Sequence, residues 1–408
     1  MNDVLFFDTE ATTYQKGHPF SKPNRLMCVA TLFDGTSTYF DIEHSGKPYG
    51  HNLQAIKEQF QQAKLIVGFN VKYDLHWLRR YISDLPIPRV WDCQLGEFIL
   101  SAQRWRYPDL DTTLDRYNLP RKLSVVRTNY WDVGLDTDQV PPDILEEYVL
   151  GDIVSLPQVY AAQLAAMSPK QRVLCQLQCD DELTLQEMEF NGLLFAREQA
   201  NTLAQETQGK IQTILDELTQ LVGTTLVNWN SGDHCSAVLY GGGIRIPARE
   251  TVLRTLKNGR IKPYERNCFR ELAFQRRVNP LPRTEYEKTA RFSEEQLSYE
   301  NSKRRAERKP LLYRTWGTGE AVLRTLRPRS KSTKRIIELL LALADLEKLR
   351  STYYEGIPKL YEEMQWADGL IHGQLSQCVA VTGRIASSKP NLQNFDNLIK
   401  PLFQSRYP

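Results

Sequence analysis

The sequence predicts an α/β protein, and three observations carry that reading. Short apolar runs with bulky and β-branched residues recur from Val4 to Phe69, each bounded by turn or helix signals. Stretches with helical periodicity dominate from Val173 to Val222 and again from Thr333 to Met364. Between them lies a strongly basic segment: residues 245–335 hold 25 of the chain's 52 Lys and Arg but 10 of its 49 Asp and Glu.

The elements follow in order. Val4-Leu5-Phe6-Phe7 suits a buried strand, and Asp8 and Glu10 come after it at i and i+2. Alternation along a strand puts both carboxylates on one face. Met27–Phe33 and Thr36–Ile42 read as two further strands, joined by Asp34-Gly35, a strong hairpin signal. Leu65–Phe69 is a fourth strand ending in Asn70, with Asp74 about one helical turn beyond. Pro141-Pro142 opens a helix, as proline does at a first turn. Tyr148 and Asp152 sit on that helix at i and i+4, on one face. The next helical stretch breaks near Asn191-Gly192 and restarts over Ala196–Leu221. In the last one Ile336, Ile337, Leu340, Leu343, Leu346 and Leu349 form an apolar stripe, which is core packing rather than a cofactor site.

Composition bounds the class. At 408 residues the chain is long enough for two or three domains. Its 41% hydrophobic and 25% charged content is ordinary for a soluble globular protein. No apolar run approaches the ~20 residues that cross a bilayer, the N-terminus lacks a signal-peptide pattern, and no membrane partner is expected. Seven scattered cysteines suggest reduced thiols in a cytoplasmic compartment. Cys175 and Cys179, with His234 and Cys235 distant, read as buried core rather than a zinc site.

Singly, each acidic motif is commonplace. A DTE at a strand end is usually a solvated edge, and Tyr-x3-Asp on a helix is usually surface. Together, in this order and on these elements, Asp8 and Glu10, Asn70 with Asp74, and Tyr148 with Asp152 resemble the three motifs of the DEDD exonuclease superfamily. Tyr148 marks the tyrosine branch; the histidine branch would carry His where Glu147 stands. Trp91–Leu95 with Phe98–Leu100, and Leu110–Tyr117 with Leu119-Pro120, resemble further segments of that family. The resemblance implies a ribonuclease H-like domain with a mixed sheet over residues 1–168. It also implies two divalent cations, Mg²⁺ or Mn²⁺, that clamp the attacking water and the leaving 3′ oxygen. Asp8 would bridge both ions, Glu10 and Asp152 would help hold one, and Asp74 the other through water. Tyr148 would orient the attacking water, and Asn70 would touch DNA.

A basic segment of this size suggests a polyanionic partner, above all nucleic acid; a solvated, partly disordered insertion is the plain alternative. Tyr264, Phe269, Phe274, Tyr286, Phe292, Tyr299 and Tyr313 are interleaved with its charges, placed to anchor the insertion or to stack on bases. Beyond it, Lys348–Tyr353, Asp368–Gly373 and then Val381–Asn394, which contains TGRIASSKPNLQN, are very similar to family A DNA polymerases, the group of bacterial DNA polymerase I and many phage replicases. Glu189-Phe190-Asn191-Gly192 and Asn230-Ser231 resemble two further segments of that family. By this resemblance residues 169–244 are connecting helices and thumb base, 245–335 an insertion contacting DNA or a partner, and 336–408 a returning thumb helix and the first part of a polymerase palm. Ser351, Thr352 and Tyr353 would lie beside the primer backbone. Arg384, Asn391, Gln393 and Asn394 would approach the primer–template, where amide and guanidinium donors meet minor-groove acceptors that look alike for every base pair.

The DYSxxELR segment that carries the family's catalytic palm aspartate does not occur in this sequence. The expectation is therefore a proofreading 3′→5′ DNA exonuclease and primer–template-binding chain that does not polymerise by itself. A separate palm-and-fingers chain would complete it, in a bacterium or a phage-infected cell, with a processivity factor as a further partner. A shortened form of a longer polymerase, a stand-alone exonuclease and a silent DNA-holding subunit remain alternatives.

Overall fold

The structure, a computed structural model, describes residues 3–120, 124–255, 260–279, 293–306, 315–366 and 368–405. Tyr286, Phe292 and Tyr313 lie outside these described residues. The chain packs as two compact units, 1–197 with 357–408, and 198–356. They cut the chain elsewhere than the four segments read from sequence, because packing need not follow chain order.

The first unit is built on a five-stranded sheet. Its strands are β1 (Val4–Ala11), β2 (Leu26–Phe33), β3 (Thr36–Asp41), β4 (Leu65–Gly68) and β5 (Arg89–Asp92), in spatial order β3-β2-β1-β4-β5. β1 to β3 pair antiparallel, while β4 pairs parallel with both β1 and β5, so the sheet is mixed. The β2–β3 turn has positive φ at Asp34 (48°) and Gly35 (77°), the geometry an Asp-Gly hairpin supplies at little cost. Helices α1 (Gly50–Gln62) and α2 (Val71–Tyr81) make the parallel crossovers. α3 (Cys93–Leu100), α4 (Pro142–Ala166) and α5 (Pro169–Asn191) follow.

Alternation along β1 feeds two cores. Leu5 and Phe7 join Phe60, Leu75 and Trp77 in one, whereas Phe6 joins Trp91, Phe98, Tyr148 and Leu156 in the other. Helix α4 buries Leu145, Tyr148, Val149, Asp152, Ile153, Leu156 and Val159, a stripe at helical spacing. Helix α5 starts on a capping box of Ser168 and Gln171 and buries Cys175 and Cys179 in the second of those cores. It ends at Gly192, where φ is +61° and a Cβ would meet His372 and Leu370 at 3.0 Å. Later in this unit come the helix Gly356–Met364, a small pairing of Gln374–Ser376 with Ala386–Ser388, and Phe403–Gln404 paired with Leu194–Phe195.

The second unit has its own core. Helices α6 (Arg197–Val222), α7 (Gly232–Tyr240) and α8 (Lys331–Lys348) bury Ile211, Leu218, Val238, Leu239, Ile336, Leu340 and Leu343 together. Ser231 and Ser330 cap α7 and α8 by accepting from the backbones of His234 and Thr333. Two 14-residue strands, β6 (Gly242–Thr255) and β7 (Ile261–Phe274), form an antiparallel ribbon. Ile244 is buried in the core, with Leu272 and Phe274 packed against it, and the distal part is exposed. The helix read over Thr333–Met364 is interrupted: after Lys348 a π-helical turn spans Leu349–Tyr354. Gly356 follows it, where a Cβ would meet the Ser351 carbonyl oxygen at 2.7 Å.

Candidate metal centre and nucleic-acid interface

β1 runs on to Ala11, so Asp8 and Glu10 lie within a paired strand, opposite Ala30 and Cys28 of β2. The register shifts between Glu10 and Ala11, a bulge of the kind that re-aims side chains next to active sites. Parity places both carboxylates on the Phe6 face, the face that α4 covers. One oxygen each from Asp8, Glu10 and Asp152 lie within 4.8 Å of one another. Among the described residues this is the group of His, Cys, Asp or Glu side chains that could share a metal ion. The donors are all hard carboxylate oxygens, which suit Mg²⁺ or Mn²⁺ and not a thiolate-seeking ion.

Three contacts tie the lead-in of α4 to the sheet and its loops, and so set that alignment. The Thr13 backbone N–H and hydroxyl donate to Asp136, each at 2.9 Å. Arg25 pairs with Asp138 at 2.9 Å, and His44 Nε2 donates to the Val140 carbonyl at 2.7 Å. Tyr148 is buried, hydrogen-bonds to Asp152 and has Trp131 edge-on at 5.7 Å. Burial, and then the charges of Glu10, Asp152 and Asp8, push its phenol well above the ordinary range, so it stays a hydroxyl.

Asp74 reaches the same neighbourhood from the other layer. It sits in the first turn of α2, is 3% exposed, and accepts from the Thr9 hydroxyl at 2.6 Å. Burial and then the charge of Asp8 push its carboxyl well up, while the Thr9 hydrogen bond holds it down. Asn70 precedes α2 in the left-handed region, φ +66°. The backbone N–H groups of Asn70 and Val71 both donate to Asp92, at 3.1 and 2.7 Å, and Asp92 also caps α3. Thr9, Asp92 and Asp136 are positioning residues that sequence reading passed over; Asp92 had a detectable signal, an acid directly before a helix. Behind α2, Glu189 accepts from Lys72 at 2.7 Å and from His76 Nε2 at 2.8 Å, with the Leu375 amide as a third donor.

The other expected DNA-binding residues are dispersed. In the second unit, Ser351 and Thr352 are exposed on the π-helical turn, while Tyr353 is buried. In the first, Arg384, Asn391, Gln393 and Asn394 are all exposed. Asn391 caps a short turn through the Gln393 backbone at 3.2 Å, and the Gln393 amide donates to the Ile385 carbonyl at 2.9 Å. Cys175, Cys179 and Cys235 are buried thiols, and His234 accepts from the Asn228 backbone at 3.0 Å. No helix among the described residues is long and apolar enough to cross a membrane.

Residues 284–401 match the family model of DNA polymerase family A. DNA polymerase I of Pseudomonas aeruginosa is 23% identical over 412 residues, a span covering 96% of this chain and 36% of that protein. Thermostable DNA polymerase I of Thermus filiformis is 42% identical over 59 residues, 14% of this chain and 7% of its own. The chain thus spans about a third, or much less, of the curated relatives it matches. Among solved structures, the POL domain of Pol1 from M. smegmatis, in complex with DNA primer-template and dNTP, aligns with a TM-score of 0.59 at 15% identity. That alignment covers 96% of this chain and 52% of the other, a likeness of fold. The chain is therefore similar to family A polymerases over residues 284–401 and has a mixed α/β fold similar to that of a polymerase I domain.

Proposed function

We propose that this chain is a metal-dependent 3′→5′ DNA exonuclease that proofreads, and a primer–template-binding part of a family A polymerase. The observation that carries the reading is the convergence of Asp8, Glu10 and Asp152 within 4.8 Å from two separate elements. The strand order β3-β2-β1-β4-β5 and the buried Asp74 support a ribonuclease H-like nuclease domain. Asp8, Glu10, Asp74 and Asp152 would hold two divalent cations, whose chemistry is to activate water and stabilise the leaving 3′ oxygen. Tyr148 would orient the water through its hydroxyl. Asn70, Ser351, Thr352, Arg384, Asn391, Gln393 and Asn394 are the proposed DNA contacts, with Tyr353 acting through packing. A palm-and-fingers polymerase chain is the proposed partner for DNA synthesis.

The test is degradation of single-stranded DNA by the full chain with Mg²⁺. Asp8→Ala is expected to lower the rate about a thousandfold, equivalent to ~4 kcal/mol of barrier. Equal rates for the two proteins would refute the nuclease.

A further inference from the structure

We propose that one face of the β6–β7 ribbon is a binding arm for the sugar–phosphate backbone of duplex DNA, carried by Arg254, Lys262 and Arg270 with Tyr264 between them. The inference rests on the reading that this chain handles DNA, not on the nuclease chemistry.

Directly paired residues of an antiparallel ribbon share a face. One face carries Ile246 with Arg270, Ala248 with Cys268, Glu250 with Arg266, Val252 with Tyr264, and Arg254 with Lys262. The other carries Arg245 with Glu271, Pro247 with Phe269, and Leu253 with Pro263. The two strands together hold six basic and three acidic side chains, and each acid is matched within the ribbon. Glu250 pairs with Arg266 at 2.9 Å, Glu265 lies 3.6 Å from Arg249, and Glu271 stands opposite Arg245. The cationic surplus is therefore Arg254, Lys262 and Arg270, all exposed and all on one face.

Two of the three, Arg254 and Lys262, are direct cross-strand partners, a like-charge pair that destabilises a ribbon standing alone. A polyanion laid over that face reverses the sign of the cost. Lys262 and Arg270 are eight positions apart, roughly 27 Å along a strand at about 3.4 Å per residue. Regularly spaced phosphates match such a separation better than an irregular acidic patch on a protein. A two-stranded ribbon also has the cross-section that the ~12 Å major groove admits. Tyr264, 47% exposed, adds a hydroxyl donor on the same face.

The experiment measures the affinity of the full chain for a blunt DNA duplex across a salt series, in chelator so that no hydrolysis intervenes. Losing three phosphate contacts in R254Q/K262Q/R270Q should make the slope of log affinity against log salt shallower by about 2.7. R249Q/E265Q, which removes a matched pair from the other face, should keep the wild-type slope. Unchanged thermal midpoints identify both as folded; if the triple variant misfolds, Lys262→Gln alone should lower the slope by about 0.9. An unchanged slope, or an equal change in R249Q/E265Q, overturns the proposal. So does a change confined to single-stranded DNA. A wild-type chain that binds no duplex at all would instead sink the parent reading.

Discussion

At the end of β1, oxygens of three carboxylates are packed within 4.8 Å of one another by a strand and a helix that belong to one core. On the ribbon, Arg254 and Lys262 stand opposite each other on strands that touch the core only at their base. Both places concentrate charge of one sign, but the opposing force differs. Apolar burial on either side of β1 holds the carboxylates, so their repulsion is absorbed by a rigid frame and is available to attract cations. Water screens the ribbon's cations, so their repulsion is small and spread along an edge, a form suited to an extended polyanion. Local charge alone would treat the two sites as mirror images. The frame is what separates the proposed metal centre from the proposed docking strip.

The frame around Asp74 can be weakened without touching a proposed metal ligand. Thr9→Val keeps the shape and removes the hydroxyl that donates to Asp74 at 2.6 Å. A hydrogen bond to a charged group is worth about 1.5–3 kcal/mol, so exonuclease activity should fall tenfold or more. The sign of the pH effect follows from the same contact. Burial and Asp8 already push the Asp74 carboxyl up, and Thr9 opposes them. Without it the carboxyl protonates at higher pH, so the acid limb of the rate profile should move upward. A profile that stays in place would mean that Thr9 supports the fold only.

Sequence pattern exposed the parts of this molecule whose cause is local. The Asp34-Gly35 hairpin, the Pro141-Pro142 start and the Gly192 break each depend on a dihedral preference within a few residues. The convergence of Asp8, Glu10 and Asp152 is not local, and it was readable only through a family pattern. Thr9 could not be found by pattern at all, because its role depends on a helix 65 positions away. The ribbon was hidden for another reason. Ile244, Ile246, Ala248 and Val252 alternate correctly, but Pro247 and Pro263 read as strand breakers and dense charge obscures the period. In a two-stranded ribbon both strands are edges, where proline costs no ladder hydrogen bond if its nitrogen faces out.

Histidines near the back of α2 test whether burial or charge governs the first unit. Burial first, then His372, His76 and Lys389, lower His18 from 6.5 to about 3. Burial also lowers His76, against the pull of Glu189. Between pH 6.5 and 3 the unfolded chain therefore binds a proton at residue 18 that the folded chain does not, so stability is lost as pH falls through that window. One such proton contributes up to ~1.4 kcal/mol per pH unit. His18→Gln should flatten the acid side of a stability-against-pH curve by about that slope, leaving the His76 contribution. Equal slopes would show that His18 charges freely in the folded protein, and that the acidic site dominates its surroundings after all.

The smallest effect lies on the ribbon and probes the comparison from its other side. Lys262→Glu turns the Arg254–Lys262 pair into one of opposite sign on the same face. Cross-strand pairs contribute about 0.2–1 kcal/mol, so the distal ribbon should gain no more than that. Global unfolding will not register it, because the ribbon meets the core at its base, through Ile244, Ile246, Leu272 and Phe274. Amide exchange reads local opening directly, and protection around Val252 and Tyr264 should rise up to about fivefold. Duplex affinity should fall in the same variant. Those opposed signs, a steadier ribbon and weaker DNA binding, are what a surface kept repulsive for a polyanion must show; protection and affinity that fall together would mean the lysine stabilises the strand by packing instead.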